Sequence, residues 1–422
     1  MRFHFIKWLY TILLALLTPF LLLRLWWKGR HNRGYRRHVG ERLGKMPAAL
    51  LRGAVWFHAV SLGEARLAVP FIERVLALSE TERVIVTTTT PTGRATLENR
   101  WPGRVQVLYT PWDLPGIVVR FLRSAKPRLL CVMETELWPN LLMCAKQFGI
   151  PTLLLNARIS THSYRGYRRI WHLVRPLLQS FSCICAQDEI SANHLRALGA
   201  PADRLRVCGN VKLDNVPVVP PILSKWRLQL AGRLTWVAGS THAPEETLLL
   251  PMYLRLRARY ANVLWILVPR HVERADELQA LCEKAQLRVA RRSQLVDIPS
   301  DIDVLLGDTI GEMALYYGLG DIVFVGGSLI PHGGQNMLEP IALGKPTVVG
   351  PHTHHFTSLV TALCAAEALQ VVKTADELGT VMMRYWDDAA TLAGQVEAGL
   401  AFLRANQGAV SRQWEEVLRF LH

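Results

Sequence analysis

The strongest constraint on the fold is an alternation of short apolar segments with amphipathic ones, which occurs twice along the chain. In residues 54–213, seven β-rich segments such as VWFHAV and CICAQ alternate with helix-like segments such as GIVVRFLRSAK. A proline-rich segment follows in residues 214–224, and the alternation begins again in residues 225–375 with five β-rich segments. Strands that alternate with helices indicate parallel sheets. The sequence therefore predicts an α/β fold with two domains, a linker between them and a cleft where they face each other. Residues 376–422 are helical in pattern, and we expect terminal helices that pack back across both domains.

The N-terminal segment is nearly all apolar from Trp8 to Trp27, which is long enough to cross a bilayer. We expect residues 1–27 to be a membrane anchor and residues 28–53 to be a basic segment beside the membrane. Seven cations between Lys28 and Lys45, against two in the leader, keep the following domains in the cytoplasm by the positive-inside rule. A spanning helix is favoured, but Pro19 and Arg24 leave a helix lying in the membrane plane as an alternative.

The charge and cysteine content of the chain indicate its class of partner and its redox compartment. The excess of 49 Lys and Arg over 34 Asp and Glu gives a formal charge of +15, which favours an anionic partner: nucleic acid, a membrane surface or a phosphorylated substrate. The seven cysteines are scattered in apolar segments, which indicates a reducing compartment. Cys183 and Cys185 lack a second ligand pair at zinc spacing, so we interpret them as structural.

Acids and a base follow the strands of the first half. Glu64 comes directly after the segment VWFHAV, Glu134 and Glu136 follow RLLCVM, and Lys212 follows LRVCGN. The carboxyl ends of parallel strands are where open α/β sheets place their chemistry. Ser61 and Glu64 also form a capping-box pattern, in which both side chains merely close a helix.

The second half offers small residues and cations at the corresponding positions. Glycine-rich turns at 239–242, 307–312, 326–328 and 333–339 can present backbone N–H groups to a phosphate, and Arg270 can add a bidentate contact. Walker and dinucleotide-binding fingerprints are absent from the sequence, which disfavours NTPases and dehydrogenases. His352, His354 and His355 have no acidic companion nearby, so a polar loop is favoured over a metal site.

Twelve short motifs, taken in order, resemble those of the 3-deoxy-D-manno-octulosonic acid (Kdo) transferases of bacterial lipopolysaccharide assembly. They are HAVSLGE, TTTTPTG, METELWPNL, NARIS, AQDE, GNVKLD, GSTH, LVPRH, GDTIGE, FVGGSL, GGQNMLEP and the YRRHVGERLG that follows the anchor. The resemblance implies a GT-B glycosyltransferase with two Rossmann-like domains. It also implies CMP-Kdo as donor, a lipid A precursor (lipid IVA) as acceptor, no cofactor or metal, and a place on the cytoplasmic face of the inner membrane.

The resemblance also implies roles for particular residues. The general base matches Glu64, and the groups that stabilise the transition state match Glu134 and Lys212. In-line attack with a single base would invert the anomeric centre. The contacts to the CMP of the donor match Pro269, Arg270, Ile310, Gly311, Glu312, Asn336, Met337, Leu338 and Glu339, with Ser240 and Thr241 added at the phosphate.

Two other functions remain open at this point. One is a GT-B enzyme that uses another nucleotide sugar and another lipid acceptor. The other is a non-enzymatic membrane tether that binds nucleic acid through its basic residues. The cations are concentrated beside the anchor without an interleaved aromatic stacking platform over a groove, so we expect no nucleic-acid partner.

Overall fold

The computed structural model describes residues 2–30, 32–47, 49–98, 100–214 and 217–421. The chain divides into two compact units. Unit 1 comprises Met1–Asp214 and Gln407–His422, and unit 2 comprises Asn215–Asn406. Parts of the predicted anchor, basic segment and linker fall on residues 1, 31, 48, 215 and 216, which lie outside the described residues.

Unit 1 is built on a seven-stranded parallel sheet. Its strands are β1 (Val55–His58), β2 (Val84–Thr88), β3 (Val105–Tyr109), β4 (Leu129–Met133), β5 (Thr152–Ala157), β6 (Cys183–Ala186) and β7 (Leu205–Val207). They lie in the order β3-β2-β1-β4-β5-β6-β7, and every neighbouring pair is parallel. The strand order therefore reverses between β1 and β4, which is where such sheets form a crevice for ligands.

Helices cover both faces of this sheet. They are α1 (Arg2–Lys28), α2 (Val39–Arg42), α3 (Leu62–Leu78), α4 (Pro91–Leu97), α5 (Pro115–Ala125), α6 (Pro139–Gln147), α7 (Thr161–Arg169), α8 (Trp171–Leu178) and α9 (Glu189–Ala197). Two apolar cores result, because successive strand residues point to opposite faces: Trp56 packs into one core and its neighbour Phe57 into the other. All seven strands of this half are therefore confirmed.

Unit 2 repeats the design with a second seven-stranded parallel sheet. Its strands are β8 (Thr235–Thr241), β9 (Leu264–Pro269), β10 (Val289–Arg291), β11 (Val304–Leu306), β12 (Ile322–Val325), β13 (Thr347–Val349) and β14 (Gln370–Val371). The order is β10-β11-β9-β8-β12-β13-β14, so the reversal lies between β8 and β12. The buried Trp236 and Trp265 stack across β8 and β9 with ring centroids 5.3 Å apart.

The helices of unit 2 fill the connections between its strands and then continue towards the C-terminus. They are α10 (Ile222–Gln229), α11 (Glu245–Arg259), α12 (Ala275–Lys284), α13 (Met313–Leu319), α14 (Leu338–Ala342), α15 (Thr357–Ala365), α16 (Ala375–Asp387) and α17 (Ala389–Asn406). The last helix, α18 (Ala409–Leu418), belongs to unit 1. The α/β fold with two similar halves is thus confirmed.

Two details differ from the sequence prediction. The sequence pattern gives five strands for unit 2, whereas the sheet has seven; β10 and β14 are three and two residues long, half-buried and at the sheet edges, so they lack a continuous apolar signal. The predicted linker also ends earlier than residue 224, because α10 begins at Ile222. Pro221 precedes that first turn, where a missing N–H costs no hydrogen bond.

Among the described residues, α1 is the one helix long and apolar enough to cross a membrane, by length and composition. It continues through Pro19 to Lys28.

Candidate active site

The carboxylate of Glu64 lies at the carboxyl end of β1, beside the point where the sheet order reverses. Ser61 caps α3, and its hydroxyl accepts a hydrogen bond from the Glu64 amide at 3.2 Å. The Glu64 carboxylate accepts from the Val60 amide at 2.7 Å and from the Ser61 hydroxyl at 3.0 Å. The sequence was compatible with two roles for Glu64, closing the helix or facing the cleft. In the structure its carboxylate bonds the Val60 amide and the Ser61 hydroxyl at the start of α3, as in a capping box. Each carboxylate oxygen keeps a lone pair for a further donor.

The surroundings of Glu64 favour its protonated form. Burial raises its pKa to about 7, repulsion from Glu136 and Glu134 adds to the rise, and the Val60 and Ser61 hydrogen bonds oppose it. Burial likewise raises the pKa of Glu136, whose carboxylate accepts from the Trp138 indole at 2.6 Å. A carboxylate with a pKa near neutrality is well matched to general base catalysis.

Glu134 and Lys212 form the second part of this cluster. Glu134 directly follows β4 and has a φ of 54°, a left-handed conformation that is costly for a residue with a Cβ. Its carboxylate is 3.1 Å from the Lys212 ammonium, and both side chains are about one-third exposed. Glu64, Glu134 and Lys212 all lie at the carboxyl edge of the same sheet. The structure therefore brings together the first-half residues that the sequence singled out.

The loop that carries Lys212 is braced by α18, a feature that sequence reasoning missed. The side-chain oxygen of the buried Asn156 accepts from the Val211 amide at 3.0 Å, and the backbone N–H of Asn156 donates to the side-chain oxygen of Gln413 on α18 at 2.9 Å. Gln413 in turn donates to the Gly209 carbonyl at 3.0 Å. Asp214 accepts from the backbone amides of residues 408 and 410 at 2.7 and 2.6 Å. These partners are separated by up to 257 residues, so local sequence patterns carry no signal for them.

A groove of about 410 Å3 lies between α1 and the loops at the carboxyl edge of the unit 1 sheet. Leucines of α1 form an apolar wall, and cations line the groove beside it. The wall includes Leu14, Leu21 and Leu25, and the cations are Arg24, Lys28 and Arg42. Trp138, which bonds Glu136, and Thr89, whose amide donates to the Val60 carbonyl, also line the groove. Two lining residues of the groove, Thr89 and Trp138, thus contact Val60 and Glu136, which are neighbours of Glu64.

The predicted donor-binding residues of unit 2 follow β8, β9 and β11 and precede α14. Pro269 ends β9 and is buried, while Arg270 is exposed with its amide bonded to the Thr241 carbonyl at 2.9 Å. Ser240 has a φ of 58° and lies at the surface. Thr241 is 1% exposed and its hydroxyl donates to Glu246 at 2.6 Å, so its side chain does not line a surface site. Ser240 and Arg270 are therefore the side chains available to a phosphate here.

The loop after β12 is organised by Glu245, which sequence reasoning did not single out. The Glu245 carboxylate is fully buried and accepts from the amides of His242, Gly327, Ser328 and Leu329 at 2.6 to 3.0 Å. Burial raises its pKa, and these four donors oppose the rise. The expectation that residues 326–328 offer free N–H groups to a phosphate is wrong for Gly327 and Ser328. A carboxylate of the protein already occupies them.

The segment GDTIGE presents a surface loop after β11. Ile310 is 85% exposed, Gly311 has a φ of 88°, and Glu312 pairs with Arg292 at 2.8 Å. Thr309 donates to Glu312 but does not cap the helix, because α13 begins at Met313 with Glu312 as its N-cap.

The segment before α14 divides into surface and core residues. Asn336 and Glu339 are half-buried and joined by a hydrogen bond of 3.0 Å, whereas Met337 and Leu338 point into the core. The predicted run 336–339 therefore offers two polar side chains to a ligand.

The imidazole rings of His332 and His271 and the guanidinium of Arg270 lie near His242 in unit 2. Its ring stacks on His332 at 3.8 Å and lies 5.7 Å from His271. Burial lowers the pKa of His242 to about 4, with contributions from His332, His271 and Arg270. The positive charge of Arg270 beside these rings favours an anionic ligand. Within the described ranges, no three His, Cys, Asp or Glu side chains are grouped as a metal ion would require, and His354 and His355 pack edge to face.

Comparisons with known proteins agree with this arrangement. Residues 37–215 match the family model described as 3-Deoxy-D-manno-octulosonic-acid transferase (kdotransferase). The chain is 35% identical over 413 residues to the 3-deoxy-D-manno-octulosonic acid transferase of Haemophilus influenzae, with 96% of each chain covered. It is equally similar, at 35% over 421 residues, to the Bordetella pertussis protein of the same name, again covering 96% of each.

Among solved structures, the fold is similar to that of a glycosyltransferase from Rickettsia africae, with a TM-score of 0.59. The alignment covers 88% of this chain and 99% of that one at 12% identity, so the likeness concerns the fold alone. It supports a GT-B architecture.

Proposed function

The chain belongs to the 3-deoxy-D-manno-octulosonic acid (Kdo) transferase family and is a glycosyltransferase of lipopolysaccharide assembly. We propose that Glu64 is the general base, which takes a proton from an acceptor hydroxyl while CMP leaves CMP-Kdo. The observation that carries this assignment is a buried carboxylate at the switch point of the unit 1 sheet with a pKa of about 7. Such a group is half ionised near neutral pH, and its ionised form can accept the proton that the acceptor hydroxyl loses.

The chemistry has two further requirements that other residues meet. The anomeric centre develops positive charge on a sugar that already carries a carboxylate. Lys212 and Glu134, paired at 3.1 Å, supply one charge of each sign beside the base and thereby stabilise the transition state. Attack by a hydroxyl on the face opposite the leaving CMP inverts the anomeric configuration.

Unit 2 supplies the contacts to the donor nucleotide. Arg270 offsets the growing charge on the departing phosphate, and the Ser240 hydroxyl donates a hydrogen bond to it. Ile310 packs against the nucleoside, and the Asn336 and Glu339 pair accepts and donates hydrogen bonds at the ribose. No protein group in this scheme needs a metal ion, and we expect transfer to continue in the presence of EDTA.

The acceptor is proposed to be lipid IVA, entering along the groove beside α1. Its apolar wall suits an acyl chain, and Arg24, Lys28 and Arg42 suit the phosphate of a lipid headgroup. α1 and the basic segment after it would attach the enzyme to the inner membrane, with both units on the cytoplasmic face.

The decisive experiment supplies purified full-length protein with CMP-Kdo and lipid IVA and counts the products by mass. Glu64→Gln should abolish transfer while the affinity for CMP is kept, and Glu73→Gln, an exposed glutamate on the same helix, serves as the matched control. Turnover retained by Glu64→Gln would remove the assignment of the base.

Nucleotide choice separates this function from the alternative of another GT-B enzyme. Protection from thermal unfolding by CMP but not by UDP is the expected result, because only a nucleotide that binds the folded state raises the melting temperature. Protection by UDP alone would exclude CMP-Kdo as donor.

A further inference from the structure

The helix α1 lies alongside unit 1 from its first turn to its last. At its start, Arg2 lies 3.4 Å from His172 on α8. At its end, the Arg36 guanidinium donates twice to the Trp26 carbonyl, at 3.0 and 2.8 Å, and lies over the Trp26 ring. A helix of 27 residues is about 40 Å long. The first turn therefore contacts α8, and the later turns, from Leu14 to Lys28, face the loops of the same unit across the groove described above.

Polar side chains join the first three turns of α1 to a buried site. Tyr10 donates to the Asp113 carboxylate at 3.0 Å, and Lys7 and Thr11 reach the Asn140 side chain at 3.3 Å each. Asp113 and Asn140 are 4% and 0% exposed. Removing α1 from this site would leave a carboxylate and an amide without those partners, which is costly for buried groups.

The two faces of α1 differ in their surroundings. Partly covered residues recur with a helical period from Phe3 to Lys28, and they form the face that rests on unit 1. The opposite face is a stripe of exposed apolar side chains. Their exposed fractions are 43 to 68% in Phe5, Trp8, Leu9, Leu13, Leu16, Leu17, Phe20, Leu23, Trp26 and Trp27. We call this stripe the outer face of α1.

We infer, on the basis of the membrane attachment proposed above, that α1 lies in the plane of the membrane surface and does not cross it. If α1 crossed the bilayer with its contacts intact, unit 1 would have to enter the hydrocarbon core, which is about 30 Å thick. In the plane, the outer face meets the acyl chains while the buried Asp113 and Asn140 contacts persist. The tryptophans at both ends suit the interface, and the cations from Lys28 to Lys45 suit anionic headgroups.

Sidedness of the two termini tests this topology. Arg2→Cys and Arg419→Cys, both at exposed positions of unit 1, are labelled with a membrane-impermeant maleimide in inverted inner-membrane vesicles and in intact spheroplasts. The wild-type chain, with six buried thiols and Cys364 half-buried, gives the background. Both variants should be labelled in inverted vesicles and neither in spheroplasts. Labelling of Arg2→Cys from outside the spheroplasts alone would establish a spanning helix and overturn the inference.

A charged residue introduced on the outer face of α1 tests whether lipid covers that face. Leu16→Asp, at a position 67% exposed, should weaken binding of the full chain to vesicles of anionic phosphatidylglycerol by about tenfold or more. Leu228→Asp, at a leucine 79% exposed in unit 2, should bind as the wild type does. Equal binding by Leu16→Asp and the wild type would overturn the inference. So would a dimer in detergent that Leu16→Asp dissociates, because a second copy would then cover the outer face.

The labelling and transfer assays distinguish a wrong topology of α1 from a wrong proposed function. If α1 spans the membrane, Kdo transfer by the wild type should be unchanged. Only the labelling should differ, because Arg2→Cys would then react from outside the spheroplasts. Loss of transfer with both cysteines labelled from the vesicle exterior would contradict the proposed function while leaving the in-plane helix intact.

Discussion

Glu64→Gln is expected to separate stability from catalysis. The glutamine keeps the shape of the side chain and one carbonyl oxygen, which can still accept from the Val60 amide. The Ser61 hydroxyl, which donates to the second carboxylate oxygen, must rotate and accept from the new amide group. The capping interaction of the Ser61 hydroxyl with the Glu64 amide is unaffected by the carboxyl chemistry.

The pKa of Glu64 gives the sign and size of the change in unfolding free energy that Glu64→Gln should cause. A rise from the ordinary value of 4.5 to about 7 means that the folded state holds the proton more tightly than the unfolded chain. Ionisation of Glu64 therefore costs stability progressively between pH 4.5 and 7, by about 3 kcal/mol above pH 7. The variant escapes this cost but loses a charge-assisted hydrogen bond worth about 1 kcal/mol. Above pH 7 it should be about 1–2 kcal/mol more stable than the wild type, and below pH 4.5 it should have no such advantage.

Two measurements check this reasoning. Urea unfolding at pH 5, 6, 7 and 8 should show the stability gap between variant and wild type opening with rising pH. Single-turnover Kdo transfer should fall by about 10²- to 10⁴-fold in the variant. In the wild type, kcat/KM for the acceptor should rise about tenfold per pH unit below 7 and level off above it. A flat pH profile, or a variant that transfers Kdo at the wild-type rate, would refute the role of Glu64 as base.

Four further substitutions test the other groups that the proposed function invokes. Glu136→Gln removes a negative charge that raises the pKa of Glu64, so the acid limb of the kcat/KM profile should move to lower pH. Arg270→Ala should weaken CMP binding, measured by calorimetry, more than Lys212→Ala does, and equal losses would remove the division between donor and chemistry roles. Glu245→Gln places an amide N–H2 group among four backbone donors and should lower the free energy of unfolding by about 2 kcal/mol, read from denaturant titration, and weaken CMP binding with it.

The sequence predicted the sheets well because parallel strands buried on both faces form continuous apolar segments. β4 is an example, since all of its residues from Leu129 to Met133 are buried. The same reasoning failed at β14, where two half-buried residues pair only with one neighbour at the sheet edge. Positions at strand ends were predictable in the same way. Glu64, Glu134 and Lys212 lie at one sheet edge because the topology places every strand's carboxyl end there.

Local sequence patterns could not show which buried acid has a structural role and which is suited to catalysis. Glu64 and Glu245 both follow the first strand of their unit and both lie in the first turn of the next helix. Glu245 accepts from four backbone amides, which oppose the rise of its pKa on burial and occupy its carboxylate within the protein. Glu64 has two donors and acidic neighbours, so its charge is poorly compensated. A carboxylate with few donors gains more from accepting a proton, so this difference in hydrogen-bond supply, set by loops distant in sequence, suits Glu64 better than Glu245 to the proposed role of base.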